Sequence, residues 1–168
     1  IIFCNDGLAV IDKYRHLLTD AQYRAYRAEV RAVRAMFYFY LMDMFGNVPL
    51  ITSVDDTPGN AVQAGRPEVY GFVVKELQEV EPLLPAGHSN LEGADYGRMT
   101  RSVADFLLAK LMLNAEVYAD ADWTDGQQPD GSQLYFTVDG QRLNAWQACK
   151  HYCDKVTAAG FTLASDYL

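Results

Sequence analysis

The stretch Ala28–Thr52 constrains this chain more than any other. It opens as an amphipathic helix, becomes apolar on every side and closes at Gly46 and Pro49. From Ala35 to Met42 eight successive residues are apolar, four of them aromatic. A helix that is greasy all round belongs inside a packed assembly of helices. Arg34 and Asp43 close the two ends of the run, which is shorter than the ~20 residues a bilayer span needs. The expectation is the central helix of an all-α core, with Phe37, Phe39, Leu41, Leu107, Leu108 and Leu111 meeting inside it.

Helical periodicity recurs along the chain, and no long stretch of strand alternation accompanies it. The patterns predict helices over Ile2–His16, Asp20–Phe45, Pro67–Leu84, Arg101–Tyr118 and Asn144–Ala159. Thr19 or Asp20 caps the second, and Pro67 suits the first turn of the third. Thr100 or Ser102 caps the fourth, and Ser102 with Asp105 offers a capping box. Gly160 stops the fifth, and Phe161–Thr162–Leu163 reads as extended. Five helices in antiparallel succession form a helical-hairpin array of loosely tetratricopeptide character, without a strict 34-residue period. The 168 residues suit a single domain. No secretory leader or membrane span is evident, and Ile1–Tyr14 resembles the interior of a helix, as in a fragment of a longer protein.

Charge narrows the function. Fourteen basic residues against 22 acidic ones give −8, which disfavours nucleic acid, whose binding depends on neutralising phosphates. Cys4, Cys149 and Cys153 form no motif. Cys149 and Cys153 are spaced for packing on one helix, with His151 pointing elsewhere. His16 and His88 are equally isolated. Arg24, Arg27, Arg31 and Arg34 form a stripe on one helix face, a spacing that suits pairing with carboxylates on neighbouring helices or clamping an anionic ligand. Arg34 borders the apolar run and is expected to pair with a buried acid or cap backbone carbonyls.

Three long connections (Gly46–Arg66, Pro85–Thr100, Ala119–Leu143) exceed the about 2–8 residues usual between packed helices, and such loops are commonly functional. The last combines Asp120, Asp122, Asp125, Asp130 and Asp139 with Trp123, Tyr135 and Phe136. Aromatic faces beside hydrogen-bonding groups suit a carbohydrate platform, so Trp123, Tyr135, Phe136, Asp122 and Asp125 are the candidate ligand-binding residues. The same aromatics also suit anchoring of the loop to the helices. A calcium loop fits poorly: Gly126 falls one place late after Asp120, and no Glu occupies the twelfth position. No opposed, buried carboxylate pair, nucleophile elbow or zinc motif is present. The residues therefore point to a non-catalytic protein with no metal and no cofactor.

Several motifs together carry a family resemblance. Glu29, Arg34–Ala35, the aromatic run and Phe45–Gly46–Asn47–Val48–Pro49–Leu50 resemble the signature helix of the SusD/RagB family. Asn5 with Val10–Ile11–Asp12 is similar to the helix before it. Arg66 with Glu68–Val69–Tyr70 and Leu83–Leu84–Pro85, then Gly97–Arg98–Met99–Thr100 with Ala104 and Leu107–Leu108–Ala109, resemble the segments that follow. Trp146, Ala148, Tyr152, Val156, Gly160–Phe161 and Leu163 resemble a further family helix. Val156–Thr157 and Asp105 depart from the pattern. The resemblance implies an all-α fold of tetratricopeptide-like hairpins with long inserted loops. It implies a non-catalytic lipoprotein on the surface of the outer membrane of Bacteroidetes-type bacteria, held by a lipid anchor outside this chain. Such a protein delivers glycans, or in some branches peptides, to a SusC-like TonB-dependent transporter. The competing class is a helical-repeat adaptor that binds peptides in a concave groove; it would carry shorter turns and a regular repeat.

Overall fold

A computed structural model describes residues 1–56 and 61–162. Among these, α1 (Ile2–Lys13), α2 (Asp20–Phe45), α3 (Arg66–Val80), α4 (Arg101–Leu113), the single turn α5 (Ala115–Tyr118) and α6 (Ala145–Ala158) dominate. A short ladder pairs β1 (Val48–Pro49) with β2 (Gln63–Ala64), and a hairpin pairs β3 (Tyr135–Val138) with β4 (Gln141–Asn144), both antiparallel. The fold is all-α in architecture. No described helix is long and apolar enough to cross a membrane.

Local chemistry sets the helix limits. Thr19 caps α2: its hydroxyl accepts from the Gln22 amide while the Gln22 side chain accepts from the Thr19 amide, leaving fewer unpaired donors in the first turn. Gly46 ends α2 at φ 71°, a conformation costly to any residue with a Cβ. Asn144 and Gln147 form the same reciprocal box on α6. The box expected at Ser102 and Asp105 does not form. Thr100 is the residue preceding α4, so Ser102 lies inside the helix, and Asp105 turns to Lys155 instead. Two helices are also shorter than their patterns predict. A 3-10 turn at Arg15–Leu17 follows α1, and another at Glu81–Leu83 follows α3, where Pro82 supplies no amide. Asn114 interrupts the fourth predicted helix; its side-chain amide donates to the Lys110 carbonyl at 2.9 Å, competing with the backbone. Phe161 and Thr162 form no regular element, with Phe161 stacked on His88; Leu163 lies outside the described residues.

The helices pack as successive antiparallel neighbours. Asn5 and Asp12 of α1 meet Arg34 and Arg27 of α2, Tyr38 and Arg31 meet Phe72 and Glu76 of α3, and Tyr70 meets the Leu111 carbonyl of α4. Asp105 then meets Lys155 of α6. The core runs through Ala32, Ala35, Phe39 and Met42, Val69, Val73 and Leu77, and Leu107, Leu108 and Leu111 to Tyr152. Phe37 is not part of it: 47% of its surface is exposed, and Leu41 is only partly buried. Residues two apart on a helix project about 200° apart, so Phe37 and Phe39 cannot share a core. Helix α2 is accordingly not enclosed on every side among the described residues, and Phe37, Tyr40 and Met44 line its outer stripe.

A buried knot of charge ties α1, α2 and α3 together. Arg34 donates to Glu76 at 2.9 Å, and to Asn5 and the Thr52 carbonyl at 2.8 Å each. Arg31 reaches the same carboxylate at 2.6 Å. Burial pushes the Glu76 carboxyl up, but hydrogen bonds from Arg31 and Arg34 outweigh it and hold the group below the usual range. The Arg34 partners are those its position in the sequence predicts, an acid and a backbone carbonyl.

Two outcomes are expected. Leu108→Ala, at a fully buried site, should lower the unfolding free energy by ~2–5 kcal/mol in a denaturant titration. Glu76→Gln should cost ~3–5 kcal/mol, because two arginines then lose a buried partner. A depressed folded pKa stabilises above the unfolded value of about 4.3 and is lost as pH falls through the folded value. Thermal melts from pH 6 downward should therefore show a steeper acid loss in the parent than in Glu76→Gln.

Candidate functional site: a cleft between the end of α2 and the Ala119–Leu134 loop

The C-terminus of α2, the start of α3 and the last long loop converge on a cleft of about 210 Å³. Gly46 turns the chain out of α2, and the β1–β2 register, Val48 opposite Ala64, returns it to the start of α3. Asn47 then accepts from the Arg66 amide at 2.8 Å. The Arg66 guanidinium donates to the Asp120 carbonyl at 2.8 and 3.2 Å and fastens the loop to α3. Tyr118 donates to Asp43 beneath this junction; burial and that hydrogen bond raise its hydroxyl pKa well above the ordinary value.

Trp123 and Phe45 form the aromatic walls, 76% and 65% exposed respectively. Asn47, Arg66 and Asp122 supply the polar lining. Two exposed aromatic faces with donors and acceptors between them can hold a flat ligand that has an apolar face and polar edges.

The loop aspartates shape this surface through their own backbone. Asp120 accepts from the Asp122 amide, Asp122 from Thr124, Asp125 from Gln127 and Asp130 from Ser132. Each is an Asx turn, which substitutes a side chain for a backbone partner. The Thr124 hydroxyl and amide hold Asp122 below the usual carboxylate range. At the far end Gly131 seats the loop on Trp146: a Cβ there would fall 2.4 Å from the indole ring. The Gly131 amide donates to Glu116 and its carbonyl accepts from the Ala145 amide.

The predicted ligand residues separate into two groups. Trp123 and Asp122 line the cleft, with Asp125 one turn further along the loop. Tyr135 and Phe136 stand on the hairpin, outside that lining. The Arg142 guanidinium covers the Tyr135 ring at 3.7 Å, and Phe136 meets Tyr70 edge-on as part of the packed layer. The hairpin itself has a readable origin: Asp139 and Gly140 both take positive φ, 48° and 78°, the turn that an Asp-Gly pair favours. Phe45, Asn47 and Arg66 join the cleft without having been singled out as ligand residues. The signal for Phe45 is its place immediately before the helix-stopping glycine, where an aromatic meets solvent.

Two of the histidines find partners within the fold. His88 pairs with the Ala159 carbonyl at the end of α6, and His151 with Asp139. Cys149 is half-buried and Cys153 exposed. Among the described residues no group of three or more His, Cys, Asp or Glu is placed to hold a metal.

No family model matches the chain. The starch-binding protein SusD of Bacteroides thetaiotaomicron is 35% identical over 102 residues, 60% of this chain and 17% of SusD. A solved laminarin-binding SusD-like protein superposes with a TM-score of 0.59 at 29% identity, covering 71% of this chain and 26% of that one. A solved SusD homologue from B. thetaiotaomicron gives 0.68 at 26% identity, covering 98% and 28%. The chain thus spans between a sixth and a little over a quarter of the length of these relatives. With the motifs quoted above seated on α2 and α3, and this superposition over most of the helical array, the chain is similar to SusD-like proteins.

Proposed function

We propose that this chain is a helical domain of a longer, non-catalytic glycan-binding lipoprotein at the outer-membrane surface, which hands oligosaccharide to a SusC-like TonB-dependent transporter. The observation that carries the binding reading is the pair of exposed aromatics, Trp123 and Phe45, facing a cleft lined by Asn47, Arg66 and Asp122. Pyranose rings have C–H faces that stack on such walls and hydroxyls that meet such polar groups. The names of the relatives, starch-binding and laminarin-binding, support the same class of ligand. The non-catalytic part rests on chemistry. Acid–base cleavage of a glycoside needs two opposed carboxyls, one with a raised pKa. Asp122 and Asp130 are instead exposed, held below the ordinary range and committed to turns.

Each stacked ring removes apolar area worth ~1 kcal/mol at ~25 cal/mol per Å², so affinity should be modest per sugar and rise with chain length. Trp123→Ala should weaken binding of starch- or laminarin-derived oligosaccharides several-fold by calorimetry while leaving the melting temperature unchanged. A lowered melting temperature with unchanged binding would make Trp123 a loop anchor. Incubation with these polysaccharides should release no reducing ends; release abolished by Asp122→Asn would overturn the non-catalytic reading.

A further inference from the structure

Three polar side chains, Asn47, Arg66 and Asp122, share the lining of the aromatic cleft with Phe45 and Trp123. We propose that they recognise two adjacent free hydroxyls on one sugar ring, so that the cleft takes neutral 1,4-linked hexose chains in preference to 1,3-linked ones. This narrowing of the substrate class rests on the glycan-binding reading above.

Each of the three side chains is anchored through one atom and unengaged at another. Asn47 Oδ1 accepts from the Arg66 amide at 2.8 Å, while its Nδ2 finds no acceptor among the described residues. Arg66 gives Nε and Nη2 to the Asp120 carbonyl at 3.2 and 2.8 Å and keeps Nη1 uncommitted. Asp122 Oδ1 accepts from both the amide and the hydroxyl of Thr124, and Oδ2 accepts from no described residue. The same Thr124 bonds hold the carboxyl below its usual range, so at neutral pH Oδ2 is purely an acceptor. The cleft thus offers donors from the Asn47–Arg66 side and an acceptor from the loop.

The anchoring bonds make these groups a fixed set. Arg66 grips the Asp120 carbonyl, and the Asp122 amide donates to the Asp120 carboxylate at 2.9 Å, so one residue spaces the donors from the acceptor. Side chains already held lose less freedom when a ligand arrives. Gly46 and Ala121 complete the lining and leave room for the edge of a ring. The opposite charges of Arg66 and Asp122 cancel, which suits an uncharged sugar.

A hydroxyl both donates and accepts. A ring stacked on the aromatic walls turns its equatorial hydroxyls edge-on to the polar set. Two neighbouring hydroxyls meet it together, one accepting from Asn47 or Arg66 and the other donating to Asp122. In a 1,4-linked glucose chain every interior ring keeps O2 and O3 free and adjacent. In a 1,3-linked chain O3 is in the linkage, and the free O2 and O4 lie on either side of it. Only one of them reaches the set while the ring stays stacked, and a protein group is left desolvated without a partner, which is costly.

Calorimetry on the full-length protein tests this with maltotetraose and cellotetraose, both 1,4-linked, against laminaritetraose, which differs from cellotetraose only in linkage. The better 1,4-linked tetramer should bind about tenfold more tightly than laminaritetraose, the worth of about one hydrogen bond. Methyl ethers at O2 and O3 should abolish that advantage, and ethers at O6 should not. Asp122→Asn keeps an oxygen for Thr124 but turns the free acceptor into a donor, and should erase the preference at an unchanged melting temperature. Asp130→Asn removes the same charge outside the lining and should leave the preference intact. Equal binding of the two linkages, still dependent on Trp123, overturns the diol proposal and leaves the stacking reading standing. A preference that survives both Asp122→Asn and Asn47→Asp, or that O6 ethers or Asp130→Asn abolish equally, overturns it as well. A preference that depends on Asp122 but not on Trp123 removes the stacking reading and keeps the diol. Binding of none of the tetramers overturns both.

Discussion

Glu76 is the point on which the first half of the molecule closes. A carboxylate taken out of water is strongly unfavourable unless it is paired and hydrogen-bonded. Here α2 supplies two guanidinium groups to one carboxylate of α3. The second of these, Arg34, also binds Asn5 of α1 and the Thr52 carbonyl. Three helices and the segment leaving α2 are therefore registered against each other by one set of directional bonds. Apolar packing between helices tolerates sliding far better than a bidentate ion pair does, so the knot fixes the positions at which Tyr38 meets Phe72 and the Ile51 backbone. Through that segment it also sets where β1 and the Arg66 end of α3 meet, and hence the geometry of the aromatic cleft.

A second junction performs the same task for the other half. Lys155 of α6 lies 3.1 Å from Glu81 and 3.2 Å from Asp105. Burial pushes the Asp105 carboxyl up to about 6, with Lys155 opposing and Glu81 adding to the rise. This pair is less well compensated than the Glu76 knot: one lysine serves several acids, where one acid serves two arginines. The first junction is accordingly the stronger determinant of register, and the aromatic cleft is suspended from it.

What could be read from the chain was what neighbours in sequence decide. Gly46 and Gly160 bounded helices, and the start of α2 was narrowed to Thr19 or Asp20, because caps depend on residues within a few positions. The partners of Arg34 were legible by type, since a guanidinium bordering eight apolar residues must find an acid and carbonyls. The facing of side chains was less accessible. Phe37 and Phe39 look alike in composition and point to opposite sides, and only the docking of α1 and α3 decides which is buried. Long-range links left no local trace: Arg66 reaches a carbonyl of residue 120. Tyr135 read as an open aromatic face until the hairpin register set Arg142 beside it, opposite Thr137. Asn114 carried a signal, a side chain able to compete for a helix carbonyl, but its neighbours are strong helix formers and mask it.

The loop that carries Trp123 is held at two places, the Arg66 grip on the Asp120 carbonyl and the seat of Gly131 against Trp146. Between them the chain is shaped by turns that close on themselves, each aspartate bonding an amide two residues ahead. Nothing in those turns borrows stability from the helical core. The segment behaves as an interchangeable cassette: residues between the clamps can be exchanged, lengthened or shortened without disturbing helix register, provided Gly131 and the Arg66 contact are kept. The same scaffold can in this way offer differently contoured walls opposite Phe45, so the shape of the cleft and the stability of the fold are free to change separately.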